Sequence, residues 1–497
     1  MKKPFIHKFN TKQNYYIYDI NTNNIIKVDQ IIYDIIDDYG IIPFSGIVHK
    51  WKGKYEEKLI AESLNRIRKS RDVFSPNWPA IMESVICKKH FHESLYKLDD
   101  LILNVTERCN MRCKYCSYSG SYYYERIHSQ RNMTWKVAKK SLEYFCERAQ
   151  ERDVYNVSGT FVTKEKPNIS FYGGECLVIF NFVKKCIEYA KSIRKKPIQF
   201  RIDTNGTLIN EEIMRFLIEN DITLQVSIDG PIEEHDKYRV FKNGNGSFNL
   251  IVKNLQKLQK MDKTYYEKRV CFISTLAPSY NLLDIYKFFI SNELVNKGTL
   301  IVNYVIPRDT DFFKNFSKQT KQQWNEYHEN LEKRYIDLRV AANVVVDEFL
   351  SNLFERPLLD IHMRQRKPLG TKCGPNGICV PGVRRLFVSV DGKFYPCERV
   401  GETFCIGNVD KGIEPRKVKS IVKKYIDGSN DCLNCWAVRL CTVCFTSARK
   451  GHRFDFGRKK EICVNVKNDL HDSLVLYARI MEKNPKAFDF VKDIIYG

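Results

Sequence analysis

Residues 101–116 read Leu-Ile-Leu-Asn-Val-Thr-Glu-Arg-Cys-Asn-Met-Arg-Cys-Lys-Tyr-Cys, an apolar, strand-like stretch that leads directly into three cysteines. Cys109, Cys113 and Cys116 are separated by three and then two residues. Thiolates at this spacing can hold three irons of one 4Fe–4S cube and leave the fourth iron without a protein ligand. Four-cysteine ligation is typical of electron carriers, whereas an open iron can bind and activate another molecule. The stretch therefore predicts a catalytic iron–sulfur site at the end of a strand.

The length and composition narrow the class of protein. A chain of 497 residues should divide into two to four domains. No run of roughly eighteen apolar residues occurs, and Met1-Lys-Lys-Pro is not followed by an apolar run, so we expect a cytoplasmic protein without a membrane span. The 17 cysteines then indicate metal ligation or redox chemistry and not disulfides.

The charge is strongly basic, with 81 Lys+Arg against 59 Asp+Glu and a formal net charge of +22. Such an excess can reflect solubility, an acidic partner such as nucleic acid or an acidic peptide, or compensation of negatively charged iron–sulfur sites. Charge alone does not choose among these three interpretations.

Strand-like and helix-like segments alternate between residues 101 and 305, which predicts an α/β fold with a parallel sheet, here a partial (β/α)6 TIM barrel. Catalytic groups of such a barrel lie at the carboxyl ends of its strands. The cysteine triplet follows the first strand, as that rule requires. The predicted strands are 101–106, 169–172, 199–204, 223–227, 269–276 and 299–305, and the predicted helices are 134–149, 179–194, 210–220, 248–261 and 281–292.

Five segments follow from the pattern. In the first segment, Tyr15-Tyr-Ile-Tyr-Asp and Asn24-Ile-Ile-Lys-Val predict two strands joined by a turn, followed by amphipathic helices over 30–39 and 54–74. The predicted segments are an N-terminal winged-helix-like domain (1–95), the barrel (96–306), a helical bridging region (307–372), a cysteine-rich domain (373–465) and C-terminal helices (466–497).

Polar or glycine-bearing turns follow three further strands, as Phe171-Tyr-Gly-Gly-Glu175, Asp203-Thr-Asn-Gly206 and Ser227-Ile-Asp-Gly230. Glycine lets the backbone approach a ligand closely. Glu175 can accept a hydrogen bond from an ammonium group, and the Asn, Ser and Asp side chains can bond ribose hydroxyls. Together with the open iron, these turns predict one ligand site at the strand ends.

The cysteine triplet with Tyr115, followed by Gly-Gly-Glu, Thr-Asn-Gly and Ser-x-Asp-Gly, resembles the radical S-adenosylmethionine (SAM) superfamily over residues 99–306. The resemblance implies that the open iron binds SAM, and that a 5′-deoxyadenosyl radical is released after one-electron reduction. Cys176 stands where the family commonly has proline. The implied SAM contacts are Gly173, Gly174 and Glu175 with the amino group, Thr204, Asn205, Gly206, Ser227 and Asp229 with ribose and methionine, Arg239 with the carboxylate, and Tyr115 and Val305-Ile306 near adenine.

Eight more cysteines lie in the final third, enough to ligate two further 4Fe–4S clusters. The two Cys-x2-Cys pairs alone would also suit a zinc ribbon. The whole pattern, however, resembles the SPASM extension of radical SAM peptide-modifying enzymes, which implies three 4Fe–4S clusters in all. The implied ligands are Cys373, Cys379, Cys397 and Cys444 for auxiliary cluster I, and Cys432, Cys435, Cys441 and Cys463 for auxiliary cluster II.

Glu398 directly follows Cys397. In the sulfatase-maturing branch of the family a carboxylate at this place is a general base, which would make Glu398 a catalytic residue. The alternative is a carboxylate that pairs with Arg399 or with nearby lysines. Cys146, Cys186 and Cys271 fall in helix or strand patterns and are expected to be small buried hydrophobic residues.

The N-terminal segment resembles the PqqD-like leader-peptide recognition domains of peptide maturases, which bind a leader as an added strand. A winged helix-turn-helix domain that binds DNA is the competing interpretation. Residues 1–50 are not rich in Arg or Lys, so a nucleic-acid partner is the weaker choice.

These resemblances imply a radical SAM/SPASM maturase of the sactipeptide or ranthipeptide type, which forms Cys sulfur-to-carbon thioethers in a ribosomally made precursor peptide. An auxiliary cluster would accept the surplus electron. The expected partners are a precursor with an acidic leader and a cysteine-containing core, and a flavodoxin- or ferredoxin-type reductant. The alternatives are carbon–carbon or carbon–oxygen cross-linking, epimerisation, and formylglycine formation in a sulfatase. An iron–sulfur redox sensor that binds DNA is the alternative that is not an enzyme.

Overall fold

A sheet of parallel strands with helices packed on it organises the chain. The computed structural model describes residues 3–70, 72–83, 95, 97–156, 161–314, 316–341, 344–376, 379–493 and 495–496. Residues 84–94 of the predicted N-terminal segment lie outside this description. The strands are β1 (Ile6–Asn10), β2 (Tyr15–Asp19), β3 (Asn24–Val28), β4 (Ile81–Met82), β5 (Leu98–Thr106), β6 (Arg152–Asn156), β7 (Phe161–Glu165), β8 (Asn168–Gly173), β9 (Gln199–Thr204), β10 (Thr223–Ser227), β11 (Val270–Leu276), β12 (Thr299–Tyr304), β13 (Lys372–Cys373), β14 (Arg384–Val388), β15 (Lys393–Tyr395), β16 (Gly407–Asn408), β17 (Gly412–Ile413), β18 (Arg449–Lys450), β19 (Arg453–Phe454) and β20 (Ile495–Tyr496).

The main sheet has the order β12-β11-β10-β9-β8-β5-β14-β15-β16-β17. Its six predicted strands, β5 and β8 to β12, are parallel and adjacent in chain order. The sheet is open, because β12 and β17 lie at opposite edges. The mostly parallel α/β sheet predicted from the sequence is therefore confirmed.

The helices between these strands confirm the predicted alternation to within one or two residues. Polar caps explain where several of them begin, because Thr134, Asn210 and Asn281 each accept a hydrogen bond from a free N–H group of the first turn. The α-helices are Gln30–Ile35, Phe44–Trp51, Glu57–Lys69, Trp135–Arg148, Phe180–Ile193, Glu211–Glu219, Ile232–Tyr238, Phe248–Met261, Lys263–Arg269, Leu282–Ser291, Lys318–Val340, Glu348–Leu350, Arg356–His362, Pro415–Asp427 and Phe456–Lys483.

The cysteine-rich segment is not a separate layer, which differs from the expected division at residue 373. β14 pairs in parallel with β5, and the antiparallel strands β15, β16 and β17 extend the same sheet. The helix Phe456–Lys483 also crosses the expected boundary at residue 465. Backbone hydrogen bonding of β14 to β5 thus attaches the second set of cysteines to the strand that leads into the first.

The N-terminal segment forms a three-stranded antiparallel sheet, β1-β2-β3, followed by three helices. Strands β2 and β3 confirm the two predicted strands, while β1 and the helix Phe44–Trp51 were missed. The sheet is buried on both faces, because Ile17 packs among the segment's own apolar residues and Tyr18 joins the main core. This second contact fixes the segment on the remainder of the chain.

Within the described residues, no helix is both long enough and apolar enough to cross a membrane.

Candidate active site

The loop that carries the first three cysteines is held against the end of β8 by backbone contacts. Gly174 N donates to Thr106 O at 2.9 Å, and Glu175 N donates to Arg108 O at 2.8 Å. A Cβ atom on Gly173 would lie 2.2 Å from Thr106 O, and one on Gly174 would lie 2.2 Å from Arg108 O. The two glycines therefore allow a close approach, and the group that they approach is the cysteine loop itself.

The Glu175 carboxylate joins the ends of β8 and β9. Its Oε1 accepts from Leu177 N at 3.0 Å and from Thr204 Oγ1 at 2.8 Å, and its Oε2 accepts from Asn205 N at 2.7 Å. Complete burial raises the pKa of Glu175, whereas these hydrogen-bond donors lower it. Glu175 thus fixes two of the strand-end turns that the sequence singled out.

Asn205 links β9 to the cysteine loop. Its Nδ2 donates to Asn110 Oδ1 at 2.9 Å, and its Oδ1 accepts from Thr207 Oγ1 at 2.7 Å. Asn110 Nδ2 in turn donates to Thr207 Oγ1 at 2.8 Å. The predicted ligand Asn205 is therefore engaged in positioning the loop between the first two cysteines.

A buried network follows β10. Asp229 Oδ2 accepts from Tyr115 Oη at 2.5 Å and from Tyr280 Oη at 3.0 Å, and Arg239 Nη1 donates to Tyr115 Oη at 2.7 Å. Burial raises the pKa of Asp229, and the Arg239 charge lowers it. Three residues predicted to contact SAM, namely Tyr115, Asp229 and Arg239, are thus brought together.

Arg239 has unused hydrogen-bonding capacity at this site. Its side chain is 8% exposed, and its Nε is buried without a hydrogen-bond partner among the described residues. Its charge also acts on the Cys113 thiol. A buried guanidinium beside a cysteine of the triplet suits the carboxylate that the resemblance assigns to it.

The triplet itself suits an iron–sulfur cube. Met111 N donates to Cys109 Sγ and Tyr118 N to Cys116 Sγ, each at 3.4 Å, as is usual for cluster ligands. The three thiols interact with one another. Burial raises the pKa of Cys109 and Cys116 to about 12, so a metal centre must offset the cost of the thiolates.

The other predicted SAM contacts lie around this core of the site. Ser227 is half-buried at the end of β10. Gly206 has a φ of +77°, and a Cβ there would press on Val226 and Ile251. Ile306 is 40% exposed, and its carbonyl accepts from Tyr122 Oη at 3.2 Å. Their roles toward SAM stay predictions.

Seven of the eight C-terminal cysteines form two neighbourhoods. The Cys379 thiol lies close to Cys444 and lowers the pKa of the Cys444 thiol, and Cys397 adjoins both. Cys441 and Cys463 lie close to Cys432 and Cys435. That these neighbourhoods hold the two auxiliary clusters stays a prediction.

Cys373 departs from this grouping. The cysteine whose charge raises the pKa of Cys373 is Cys432, which belongs to the other predicted set. Its strand β13 pairs with β4, away from the main sheet. Among the described residues, no three His, Cys, Asp or Glu side chains converge on a point that one metal ion could occupy. The geometry of a single-ion site does not test a 4Fe–4S cube, whose ligands bind separate irons. The assignment of all eight cysteines therefore stays a prediction.

Glu398 lies where the barrel meets the C-terminal segment. Its carboxylate lies 3.7 Å from Arg385 Nη1 and 3.5 Å from Arg399 Nε, and its Oε2 is buried without a hydrogen-bond partner in the described chain. The Glu398 carbonyl accepts from Arg126 Nη2 at 3.1 Å, and Arg126 lines a cavity together with Gly173 and Gly174. Glu398 therefore lies near the carboxyl end of β8.

Of the three cysteines expected to be buried, two are buried and one is partly exposed. Cys146 and Cys186 are buried in the helices Trp135–Arg148 and Phe180–Ile193, as predicted. Cys271 is partly exposed, so that prediction is wrong. The reason is the alternation along β11, where the neighbours Val270 and Phe272 take the buried face.

Sequence reasoning missed Asn110, Tyr280 and Arg126. Asn110 could have been found, because it stands inside the cysteine triplet. Tyr280 follows β11 and reaches Asp229 only through the packing of that turn. Arg126 lies in the insertion between the triplet and the next helix, and its 5% exposed guanidinium lines a cavity beside Gly173 and Gly174.

Comparisons with known proteins agree with this geometry. Residues 103–289 match the Radical SAM superfamily. The "Cysteine-type anaerobic sulfatase-maturating enzyme" of Clostridium novyi (strain NT) is 27% identical over 411 residues, 79% of this chain and 97% of the relative. The "Radical SAM cyclopropyl synthase TigE" of Paramaledivibacter caminithermalis (strain DSM 15212 / CIP 107654 / DViRD3) is 22% identical, over 78% of this chain and 75% of its own length.

One solved structure, "Native anSMEcpe with bound AdoMet and Cp18Cys peptide", shares the fold with a TM-score of 0.54 and 19% identity, covering 80% of this chain and 99% of that chain. The superfamily match runs from within β5 into the helix Leu282–Ser291. This segment holds the cysteine triplet and all of the predicted SAM contacts except Val305 and Ile306. On this evidence the chain is an enzyme with a radical SAM domain over residues 103–289.

Proposed function

We propose that this enzyme modifies a ribosomally made precursor peptide by joining a cysteine sulfur to a carbon of the same peptide. The observation that carries the proposal is the position of Glu398. It follows Cys397, and its main-chain carbonyl accepts from Arg126 Nη2 at 3.1 Å, beside the Gly173–Gly174 turn at the end of β8. A carboxylate is thus available next to the barrel mouth, where the sequence reasoning places SAM.

The reaction breaks one C–H bond and one S–H bond and forms one C–S bond. SAM bound at the triplet would supply a 5′-deoxyadenosyl radical that takes the hydrogen atom from carbon. The thiol proton needs a base, and Glu398 Oε2, which accepts no hydrogen bond within the described chain and lies 3.7 Å from Arg385 Nη1, is the carboxylate oxygen that would take it. One electron is left over, and the SPASM resemblance gives its acceptance to the auxiliary clusters, which supports an oxidative bond-forming reaction.

The N-terminal sheet supports a leader-binding role. β1 is covered, because His7 stacks on Trp436 with ring centroids 3.6 Å apart and bonds His471 at 2.9 Å. β3 lies at the other edge of the sheet and pairs only with β2 in the described chain. A leader peptide could add to β3 as a fourth strand, and Lys27 on that strand suits an acidic leader.

Formylglycine formation at a cysteine of a sulfatase is the second candidate. The Clostridium novyi relative carries that activity in its name, and the anSMEcpe structure contains a peptide named Cp18Cys. About a fifth of this chain lies outside the match to that relative. A leader-binding segment would be superfluous for a sulfatase, and the N-terminal sheet therefore favours the precursor peptide.

The two candidates leave different products. Reduced, cluster-loaded enzyme is incubated with SAM and a cysteine-containing peptide encoded beside its gene. A thioether product loses two hydrogen atoms and one alkylatable thiol for each bond formed. A peptide that loses hydrogen with every thiol still alkylatable would indicate carbon–carbon or carbon–oxygen cross-linking, and a new aldehyde with loss of sulfur would indicate formylglycine.

The role of Glu398 is tested separately. E398Q should lower product formation about a hundredfold, since a general base contributes an effect of that order, while 5′-deoxyadenosine is still produced. E402Q is the matched control, because Glu402 is exposed in the same segment. Equal product from E398Q and the wild-type enzyme would remove Glu398 from the chemistry.

A further inference from the structure

Arg126 is a buried cation that has no ion-pair partner among the residues that the structure describes. Its side chain is 5% exposed, and its Nη2 donates to Tyr118 Oη at 2.8 Å and to the Glu398 carbonyl at 3.1 Å. Its Nε and Nη1 have no hydrogen-bond partner in the described part of the chain. One face of the guanidinium covers Phe387, 4.3 Å from the ring centroid. Three N–H groups are therefore left without an acceptor, which is costly for a buried charge.

The carboxylates that could pair with Arg126 are engaged elsewhere. Glu107 accepts from Arg131 Nη2 at 2.7 Å and Arg131 Nε at 2.9 Å, and also from Ser129. Glu125 forms an ion pair with Arg449. The Glu398 carboxylate lies against Arg385 and Arg399. Because all three carboxylates have arginine partners, the positive charge of Arg126 is left for a group from outside the chain.

The unused N–H groups belong to a cavity. Arg126 lines it together with Asn104, Glu107, Tyr118, Ile127, Gly173 and Gly174. Tyr118 lies two residues after Cys116, and Gly173 and Gly174 end β8. Ile127, at the rim, is 61% exposed. The cavity thus opens between the cysteine triplet and the segment that carries Glu398.

From these contacts we infer that Arg126 is a specificity-determining residue that binds a carboxylate of the substrate peptide, an Asp or Glu side chain close to the cysteine that is modified. The inference rests on the proposed function, since it takes the substrate to be a peptide. A guanidinium held by Tyr118, Phe387 and a main-chain carbonyl is fixed in orientation, so it can select a carboxylate over the isosteric amide. Exposed Ile127 would contact an apolar part of the same peptide.

The experiment uses the full-length, cluster-loaded enzyme with SAM and synthetic single-cysteine peptides. One Asp is moved through the positions that flank the cysteine, and each peptide is paired with the same peptide carrying Asn. At one position the wild-type enzyme should bind the Asp peptide about tenfold more tightly than the Asn peptide. R126Q should lose this preference, and R126K should keep part of it. The matched control is K136Q, which removes a positive charge from an exposed residue outside the cavity.

SAM affinity is measured on the same variants, because SAM also carries a carboxylate. A tenfold weaker SAM affinity in R126Q with an unchanged Asp preference would assign Arg126 to SAM and overturn the inference. Equal binding of Asp and Asn peptides by the wild-type enzyme would also overturn it and leave the peptide function intact. An enzyme that cleaves SAM but binds none of the peptides would contradict the proposed function, and the inference with it.

Discussion

The two cysteine regions of this molecule are built differently. Cys109, Cys113 and Cys116 lie in one short loop, which is held by backbone bonds to the end of β8 and by Asn110 to the turn after β9. The C-terminal cysteines come from residues 373 to 463 and belong to short strands, turns and the helix Phe456–Lys483. The first region is therefore specified locally, whereas the second exists only after distant segments have packed together.

The largest effect should follow from changing the first region. C113A should reduce 5′-deoxyadenosine formation to the level of enzyme-free controls, because the cube would lose one of its three ligands. The product is quantified by chromatography after addition of dithionite and SAM. C186A is the control, since Cys186 is buried in a helix away from the triplet. Substantial cleavage by C113A would contradict the triplet as the SAM-binding cluster site.

A change in the second region should separate peptide modification from SAM cleavage. C441A should lower bound iron and abolish the peptide product while SAM cleavage persists, because Cys441 groups with Cys432, Cys435 and Cys463 and not with the triplet. Iron content and product mass are measured on one preparation. C405A serves for comparison, because the Cys405 thiol is satisfied by Gly407 O at 3.2 Å. Loss of SAM cleavage in C441A would show that the regions are not independent.

The backbone contact under the first region can be tested with one methyl group. In G174A the new Cβ would lie 2.2 Å from Arg108 O, so the cysteine loop must move. We expect SAM cleavage to fall about tenfold and the free energy of unfolding to fall by about 1–3 kcal/mol. G53A adds a methyl group where nothing lies within 4 Å. If G174A behaves like G53A, the glycine contact does not position the loop.

The smallest effect concerns the contact of the N-terminal sheet with the second region. Burial, together with His471, lowers the pKa of His7 to about 4. The unfolded chain therefore binds more protons between pH 6.5 and 4, and stability falls as pH falls through this window, by about 2 kcal/mol at pH 5. The protection factors against hydrogen exchange in β1, corrected for the pH dependence of the intrinsic exchange rate, should fall at pH 5, while those in residues 109–116 should not.

H7F tests the source of this pH dependence. Phenylalanine keeps an aromatic ring against Trp436 and cannot titrate, so the protection factors in β1 should become independent of pH over the window. H452N changes an exposed histidine and should leave the dependence as it is. A pH dependence that survives in H7F would assign it to another group.

The sequence predicted the parallel sheet and its helices well for physical reasons that are local. Buried parallel strands such as Leu101–Thr106 are continuous apolar runs, and helices such as Phe248–Met261 show a period of 3.6 residues. The pairing of β14 with β5 was missed, because strand pairing between distant residues leaves no local signal. The antiparallel pair β6 and β7, which are close in sequence, was also missed.

The candidate site shows the same difference between local and distant signals in the sequence. The triplet and the turns Gly173–Glu175, Thr204–Gly206 and Asp229 were found from the sequence, because chemistry with fixed spacing is visible in it. Arg126 was not found, since its importance comes from Tyr118, Phe387 and the Glu398 carbonyl, which meet it only in the folded chain.

By itself, the sequence determined that three closely spaced thiols follow a buried strand, and that polar turns end the strands beside it. Only the tertiary structure decided which distant cysteines become neighbours, that the Glu398 carbonyl meets Arg126, and that Arg126 keeps a buried charge without an ion-pair partner among the described residues. The physical reason is that hydrophobic periodicity and ligand spacing act over a few residues, whereas burial, desolvation and ion pairing depend on segments that are brought together by packing.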